Sequence, residues 1–344
     1  MTYRLLLIAA IAVAGVAGAA WFRKEFAMRK WSFARPEIPV GHQTEEIAVQ
    51  GGAILVFGSL MPDVEGIPGV SVPPSEAFAL RLAAGAAEWR KTYSGPGELF
   101  RASVAGADVI YALGSTALGD PKSVFLMKSE DNGQKWHSVP PPPAGSIGCH
   151  FAARGRGRAW TRDAVFTTED DGTSWAELVR FDEEIFSRVG LDPAFDAAGA
   201  LWAAAGSRVY RIVAQERREI ALPKGAVAFS IAPAPDLSAW VAVRQQLNKV
   251  AVYRIDARLQ PRLLAELPIS FAPERLHVGP KVATLLGVDV GQGSQAPRYM
   301  AFSSSDGGQT WERETLATAS LLRAAFFEDD HVWAYAGMGR IQLR

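Results

Sequence analysis

Ser129-Glu130-Asp131-Asn132-Gly133-Gln134-Lys135-Trp136, Thr168-Glu169-Asp170-Asp171-Gly172-Thr173-Ser174-Trp175 and Ser304-Ser305-Asp306-Gly307-Gly308-Gln309-Thr310-Trp311 are three copies of one pattern, S/T-x-D-x-G-x-x-W. A hydroxyl and a carboxylate two residues apart can fold back onto turn amides. The glycine supplies a residue with φ > 0, and the tryptophan opens the next strand facing a core. Val124-Phe125-Leu126-Met127 and Ala164-Val165-Phe166 supply the outgoing strands. Each stretch therefore predicts a strand, a tight turn and a returning strand. It is a folding device, and it speaks to architecture more than to activity.

The tryptophans carry the period outward. Trp89 occupies the same place in a repeat that has lost its serine and aspartate, and Lys30-Trp31-Ser32-Phe33 resembles Lys135-Trp136-His137-Ser138. From Trp89 to Trp136 is 47 residues, from Trp136 to Trp175 is 39, and from Trp175 to Trp311 is 136, three periods of the size used by propeller repeats. Two hairpins without the pattern fall in that last interval, Arg208–Ile212 returning through Arg218–Ile220 and Lys249–Ile255 returning through Arg262–Leu264. Second strands recur at Val109–Ala112, Ala159–Trp160, Leu201–Ala203, Trp240–Val243, Val282–Leu285 and Val332–Tyr335. One strand is lacking after Arg340–Arg344 and one is spare around Trp31–Phe33, so the two ends are expected to pair and close a ring.

The three stretches resemble the Asp-box, or bacterial neuraminidase repeat, through Ser129, Asp131, Gly133 and Trp136, through Thr168, Asp170, Gly172 and Trp175, and through Ser304, Asp306, Gly308 and Trp311. The resemblance implies an all-β propeller of four-stranded blades with the boxes at the periphery, between third and fourth strands. Seven blades are expected, with six as the alternative if the N-terminal segment stays outside the ring. Single exported propellers of this kind are similar to the photosystem II assembly and stability factors, which implies a binding scaffold without catalysis. The other reading is a glycoside hydrolase of sialidase type.

Composition narrows the classes. The 344 residues carry 36 Lys and Arg against 36 Asp and Glu, so no electrostatic argument favours nucleic acid. The single cysteine, Cys149, excludes an intramolecular disulfide and a Cys-x-x-Cys site. The histidines lack metal-ligand spacing, and the boxes lack the distal glutamate of a calcium loop, so neither metal nor cofactor is expected.

Residues 1–29 read as a targeting segment and residues 30–344 as the propeller. An uncharged run from Leu5 to Phe22 ends at Arg23-Lys24, at the lower edge of a membrane span. An uncleaved anchor is the first expectation and a cleaved, secreted form the second. Counting positive charges would place the body in the cytoplasm, whereas the resemblance implies export. The exported (periplasmic or extracellular), membrane-tethered arrangement is the one adopted.

Candidate binding residues follow from the topology. Box turns and first-to-second-strand loops should share one end of the ring, leaving second-to-third-strand loops and blade connections at the other, ligand-facing end. There the longest loop, Gly58 to Pro74, carries Asp63 and Glu65, and Gly114 to Ser123 carries Asp120 and Lys122. Asp163, Glu183 and Glu184 are further carboxylates at that end. Arg154, Arg156, Arg158 and Arg162 form the densest basic cluster, able to grip an acidic partner or anionic headgroups. The expected partner is a protein or glycan. A sialidase would instead need three arginines converging beside a Tyr–Glu pair, and Phe33-Ala34-Arg35-Pro36 misses the aromatic-Arg-aliphatic-Pro motif of that family. Cys149-His150 reads as a buried thiol on an inner strand rather than as a nucleophile.

Overall fold

The computed structural model describes residues 32–34, 38–39, 42–60, 75–117, 120–182, 184–186, 192–196, 198–213, 216–245, 249–267, 271–289, 298–315, 322–328, 331–336 and 340–343. The expected targeting segment, Asp63, Glu65 and Glu183 lie outside the described residues. No helix among the described residues is long and apolar enough to cross a membrane.

The described residues form strands only, and the chain is a β-propeller. After β1 (Ser32–Ala34), sheet 1 is built from β2 (His42–Gln50), β3 (Ala53–Leu60), β4 (Glu76–Leu82) and β5 (Arg90–Pro96). Sheet 2 follows with β6 (Glu98–Ala105), β7 (Val109–Ser115), β8 (Val124–Ser129) and β9 (His137–Val139). Sheet 3 holds β10 (Gly148–Ala153), β11 (Arg156–Trp160), β12 (Ala164–Thr168) and β13 (Ala176–Arg180). Sheet 4 holds β14 (Ala194–Phe195), β15 (Leu201–Ala205), β16 (Arg208–Val213) and β17 (Glu216–Ala221). Sheet 5 holds β18 (Ala226–Pro233), β19 (Ala239–Gln245), β20 (Lys249–Ile255) and β21 (Pro261–Leu267). Sheet 6 holds β22 (Phe271–Val278), β23 (Ala283–Asp289), β24 (Arg298–Ser304) and β25 (Glu312–Thr315). Sheet 7 has β26 (Leu322–Glu328), β27 (His331–Ala336), β28 (Arg340–Leu343) and, as its outermost strand, β1. Among the described residues these are seven four-stranded antiparallel sheets.

Burial explains the sequence of each strand. Second strands lie between two neighbouring sheets and are apolar on both faces, as in Val109–Ser115, buried throughout. Fourth strands lie at the rim and carry charge, as in Glu216–Ala221, where only Ile220 is buried. The core is accordingly a set of layers between sheets. Leu55, Phe57 and Ala79 of sheet 1 meet Leu99, Ile110 and Ala112 of sheet 2. Trp202 and Val209 of sheet 4 meet Val241 and Tyr253 of sheet 5. At the other end of the chain, β26 lies against β2. The expected pairing of chain ends is present, with Ser32 opposite Leu343, Phe33 opposite Gln342 and Ala34 opposite Ile341.

The box turns and the first-to-second-strand turns share one end: Asn132 N–H donates to Asp108 O (3.0 Å) and Asp171 N–H to Gly155 O (3.0 Å). We refer to this as the box end and to the opposite side as the connection end.

Candidate functional site

The three repeated turns have one hydrogen-bond pattern. In the first, the Ser129 hydroxyl accepts from Gly133 N–H (2.8 Å) and donates to Asp131 Oδ1 (2.9 Å), which in turn accepts from the amides of Gln134 and Lys135 (2.9 Å each). Ser304 with Asp306 repeats it, and Thr168 with Asp170 does so except that the Thr173 amide donates to the Asp170 backbone carbonyl (3.1 Å) while the Ser174 amide donates to Oδ1. The residue before the central glycine is left-handed in all three, with φ of 59° at Asn132, 60° at Asp171 and 73° at Gly307. The central glycines sit against the preceding sheet: a Cβ on Gly133 would come within 2.1 Å of Leu55 Cδ2, and one on Gly308 within 3.0 Å of Trp240. The tryptophans pack the same way, Trp136 edge-on to Phe57 (5.7 Å) and Trp311 edge-on to Trp240 (6.2 Å). These turns clasp neighbouring sheets together. Their carboxylates are spent on amides, and among the described residues no group of three His, Cys, Asp or Glu side chains could hold a metal ion.

Arg154 belongs to such a clasp. It pairs with Glu130, which also pairs with Lys128 Nζ (3.0 Å). Lys128 Nζ reaches Asp171 Oδ2 (3.0 Å), and Asp171 also accepts from the Tyr111 hydroxyl. Burial foremost, and then the hydrogen bond to Asp171, push the Tyr111 phenol far above its ordinary range.

A second cluster lies on the inner strands. β-bulges at corresponding places in β2, β6, β18 and β22 shift the register just before Glu46, Arg101, Ser230 and Arg275, and a bulge re-aims the side chain that follows it. Arg101 Nη2 bonds both oxygens of Asp192 (3.2 and 3.1 Å), and Arg101 Nη1 lies 3.9 Å from Glu46 Oε2. Burial raises the Glu46 pKa against the opposing fields of Arg275 and Arg101. Burial would strip the proton from Arg101, but Asp192 and Glu46 more than hold it there. Arg101 thus links the two carboxylates. Cys149 lies beside this cluster, buried and with its thiol pushed up to about 12 by desolvation, as an inner-strand thiol should be. Of the constellation a sialidase requires, Tyr299 bonds Glu274 next to Arg275, and among the described residues two arginines, Arg275 and Arg101, act on Glu46. Tyr299 is itself 2% exposed.

Between sheets 2 and 3 a cavity of about 680 Å³ is lined by residues of the connection end. Phe100, Val124, Ile147 and Phe166 give it apolar walls; Asp120, Arg162, Asp163, Arg180 and Glu184 give it charge. Arg162 pairs with Glu184 (3.2 Å), and Arg180 with Asp163 (2.7 Å) and Glu177 (2.6 Å). The Thr161 hydroxyl donates to Asp163 (2.8 Å) and, with Arg180, holds its carboxyl below the usual range. Asp120 caps its own loop by accepting from Lys122 N–H (2.9 Å). Arg162 and Glu184 are each about two-thirds exposed. Such a pair contributes only about 0–1 kcal/mol, so exchanging it for a ligand's charges costs little.

The structure therefore brings Asp120, Arg162, Asp163 and Glu184 to one cavity and separates the arginines read as a cluster. Arg154 is at the box end, Arg156 is exposed at the start of β11, and Arg158 lies mid-strand over the Phe195 ring and bonded to Thr167. Only Arg162 reaches the cavity. The reason is geometric: a strand advances about 3.3 Å per residue, so residues clustered in sequence along β11 are strung from one end of the sheet to the other. Sequence reasoning missed Glu46, Arg101, Asp192, Arg275 and Arg180. The usable signal was a charge inside an otherwise apolar inner strand, as in Leu99-Phe100-Arg101-Ala102.

No family model matches the chain, and no curated protein matches it. Solved structures do. YCF48 bound to D1 peptide is similar over 92% of this chain and 94% of its own, with a TM-score of 0.65 and 16% identity. YCF48 from Cyanidioschyzon merolae gives a TM-score of 0.63 at 14% identity over 91% of this chain and 98% of that one. Selenomethionine-substituted virginiamycin B lyase from Staphylococcus aureus gives 0.62 at 13% identity over the same shares. At these identities the likeness establishes the propeller fold; a binding protein and a lyase share it, so function must be argued from the site.

Proposed function

We propose that this protein is a non-enzymatic binding or assembly scaffold, a seven-bladed Asp-box propeller with one blade per four-stranded sheet, which holds a polypeptide segment in the cavity between sheets 2 and 3. The observation that carries this is the lining itself: apolar walls for an anchoring side chain beside exposed, exchangeable ion pairs. YCF48, in its complex with D1 peptide, offers a precedent for a peptide held by this fold. The run from Leu5 to Phe22 is read as a membrane anchor that tethers the exported propeller. The glycosidase reading has less support, because Arg101 ties Glu46 and Asp192 together where a hydrolase needs two carboxylates free to flank a sugar.

The test is selection of peptides from a displayed random library against the full chain. Peptides carrying an apolar anchor next to charge are expected. Phe166→Arg should weaken them at least tenfold at an unchanged melting temperature, and Arg154→Ala should not. Equal binding to Phe166→Arg, or turnover of a sialoside or other glycoside panel, would defeat the proposal.

A further inference from the structure

Two sheets carry the same device at the connection end and complete it differently. In β6 the bulged residue is Phe100, between Leu99 opposite Gly114 and Arg101 opposite Leu113. In β18 it is Phe229, between Ala228 opposite Val243 and Ser230 opposite Ala242. Counting outward from the two bulges puts Ser115, opposite Glu98, in register with Arg244, opposite Val227. The third strand adds a valine to each row, Val124 beside Ser115 and Val250 beside Arg244. Val124 packs toward sheet 3 and Val250 toward sheet 6, so both rows face the following sheet.

In sheet 5 the place over the bulged ring is filled from within the chain: the Arg244 guanidinium lies over Phe229, 4.8 Å from the ring centroid. In sheet 2 the residue in register is a serine, its hydroxyl bonded to Ser123 Oγ (2.6 Å) and Ala117 O (2.9 Å). Phe100, Ser115 and Val124 there line the cavity of about 680 Å³. Charge in that lining is compensated except at one point. Arg162 is paired with Glu184, and Arg180 with Asp163 and Glu177. Among the described residues Asp120 has no ion-pair partner; its carboxylate accepts from the Lys122 amide alone.

We propose that this cavity holds an arginine side chain of the bound polypeptide, its guanidinium over the Phe100 ring and paired with Asp120, in the place that Arg244 fills internally between sheets 5 and 6. The assignment rests on the peptide-binding function proposed for the same cavity and names the charge expected beside the apolar anchor. A guanidinium suits the place better than an ammonium, because it is planar, stacks on an aromatic face and is more weakly hydrated.

The experiment uses the full chain with two ligands, a peptide selected against it and the small probe N-acetylarginine N-methylamide. In calorimetric titrations, replacing the peptide's arginine by norleucine should weaken binding about tenfold, and by lysine about threefold. Saturation-transfer NMR should detect the arginine probe on the parent and not N-acetylnorleucine N-methylamide. Asp120→Asn, which keeps an acceptor for the Lys122 amide, should weaken the arginine peptide about two- to fivefold, the worth of an exposed pair, and leave the norleucine peptide unchanged. Phe100→Leu should narrow the gap between the arginine and norleucine peptides. Ser115→Arg should fill the place internally, as Arg244 does, and abolish binding of the probe at the parent's melting temperature. A selected set without arginine, or norleucine peptides bound as tightly as arginine ones, would overturn the arginine assignment and leave the peptide-binding function standing. If no peptide binds, that function falls and the probe decides the guanidinium site by itself: no signal on the parent, or an undiminished one on Asp120→Asn, overturns it.

Discussion

At the scale of single residues, the turn aspartates make folding sensitive to acid. Thr310, through its hydroxyl and its amide, and the Ser304 hydroxyl hold Asp306 down to about 2. For Asp131 burial works the other way, but the Lys135 and Gln134 amides and the Ser129 hydroxyl outweigh it. Asp170 is lowered first by the Ser174 amide. A carboxyl whose folded pKa lies below its unfolded value, about 3.9, contributes stability above that value and loses it as pH falls through the folded one. Denaturant midpoints should therefore drop between pH 4 and pH 2. The triple variant Asp131→Asn, Asp170→Asn, Asp306→Asn should start lower at pH 7 and drop less; an equal drop would show that other groups govern acid unfolding. Glu46 acts with the opposite sign, since its raised pKa means that its contribution fades as pH rises through the folded value.

Between elements, the junction of sheets 2 and 3 offers the clearest test. The Tyr111 hydroxyl donates to Asp171 and accepts from Gly155 N–H (3.1 Å), with its ring stacked on Phe151 at 3.7 Å. Tyr111→Phe keeps the stacking but removes the hydroxyl partner of both groups, at a cost of about 1–3 kcal/mol. The share of that cost owed to the charged carboxylate should vanish in the Asp171→Asn background, the share owed to Gly155 N–H remaining; urea unfolding of the four proteins of the cycle measures it. A coupling near zero would mean that the hydroxyl is not what holds Asp171. Elements of this kind were legible in sequence because their information is local. Ser129, Asp131, Gly133 and Trp136 act within eight residues, and the second strands announce themselves as apolar runs. The inner-strand cluster was not legible, because Glu46, Arg101, Asp192 and Arg275 come from four places in the chain and meet only after the sheets assemble. Three of the cavity residues, Asp120, Asp163 and Glu184, could be nominated from loop placement and Arg162 from the basic cluster, yet nothing local said that Arg162 would stand apart from Arg154. That distinction depends on where β11 begins and ends.

For the whole molecule, the short pairing of β1 with β28 covers the outer edge of sheet 7. A chain lacking residues 1–37 should retain sheets 1 to 6 but present β28 as an open strand edge. It should melt several degrees lower and scatter light on standing, and a synthetic peptide spanning residues 30–38 should reverse part of both effects. A truncated chain that melts like the parent would show that the pairing carries no weight.

The same pairing joins Ser32 to Leu343, 311 residues further along the chain. At synthesis rates of about 5–20 residues per second, β1 leaves the ribosome about 15–60 s before its partner strand exists. Sheets 1 to 6 pair strands from neighbouring stretches and can assemble in order of emergence, whereas sheet 7 must wait for β28. Closure is thus the last pairing to form, and the interval before it is when this protein most needs a chaperone at its unfinished edge.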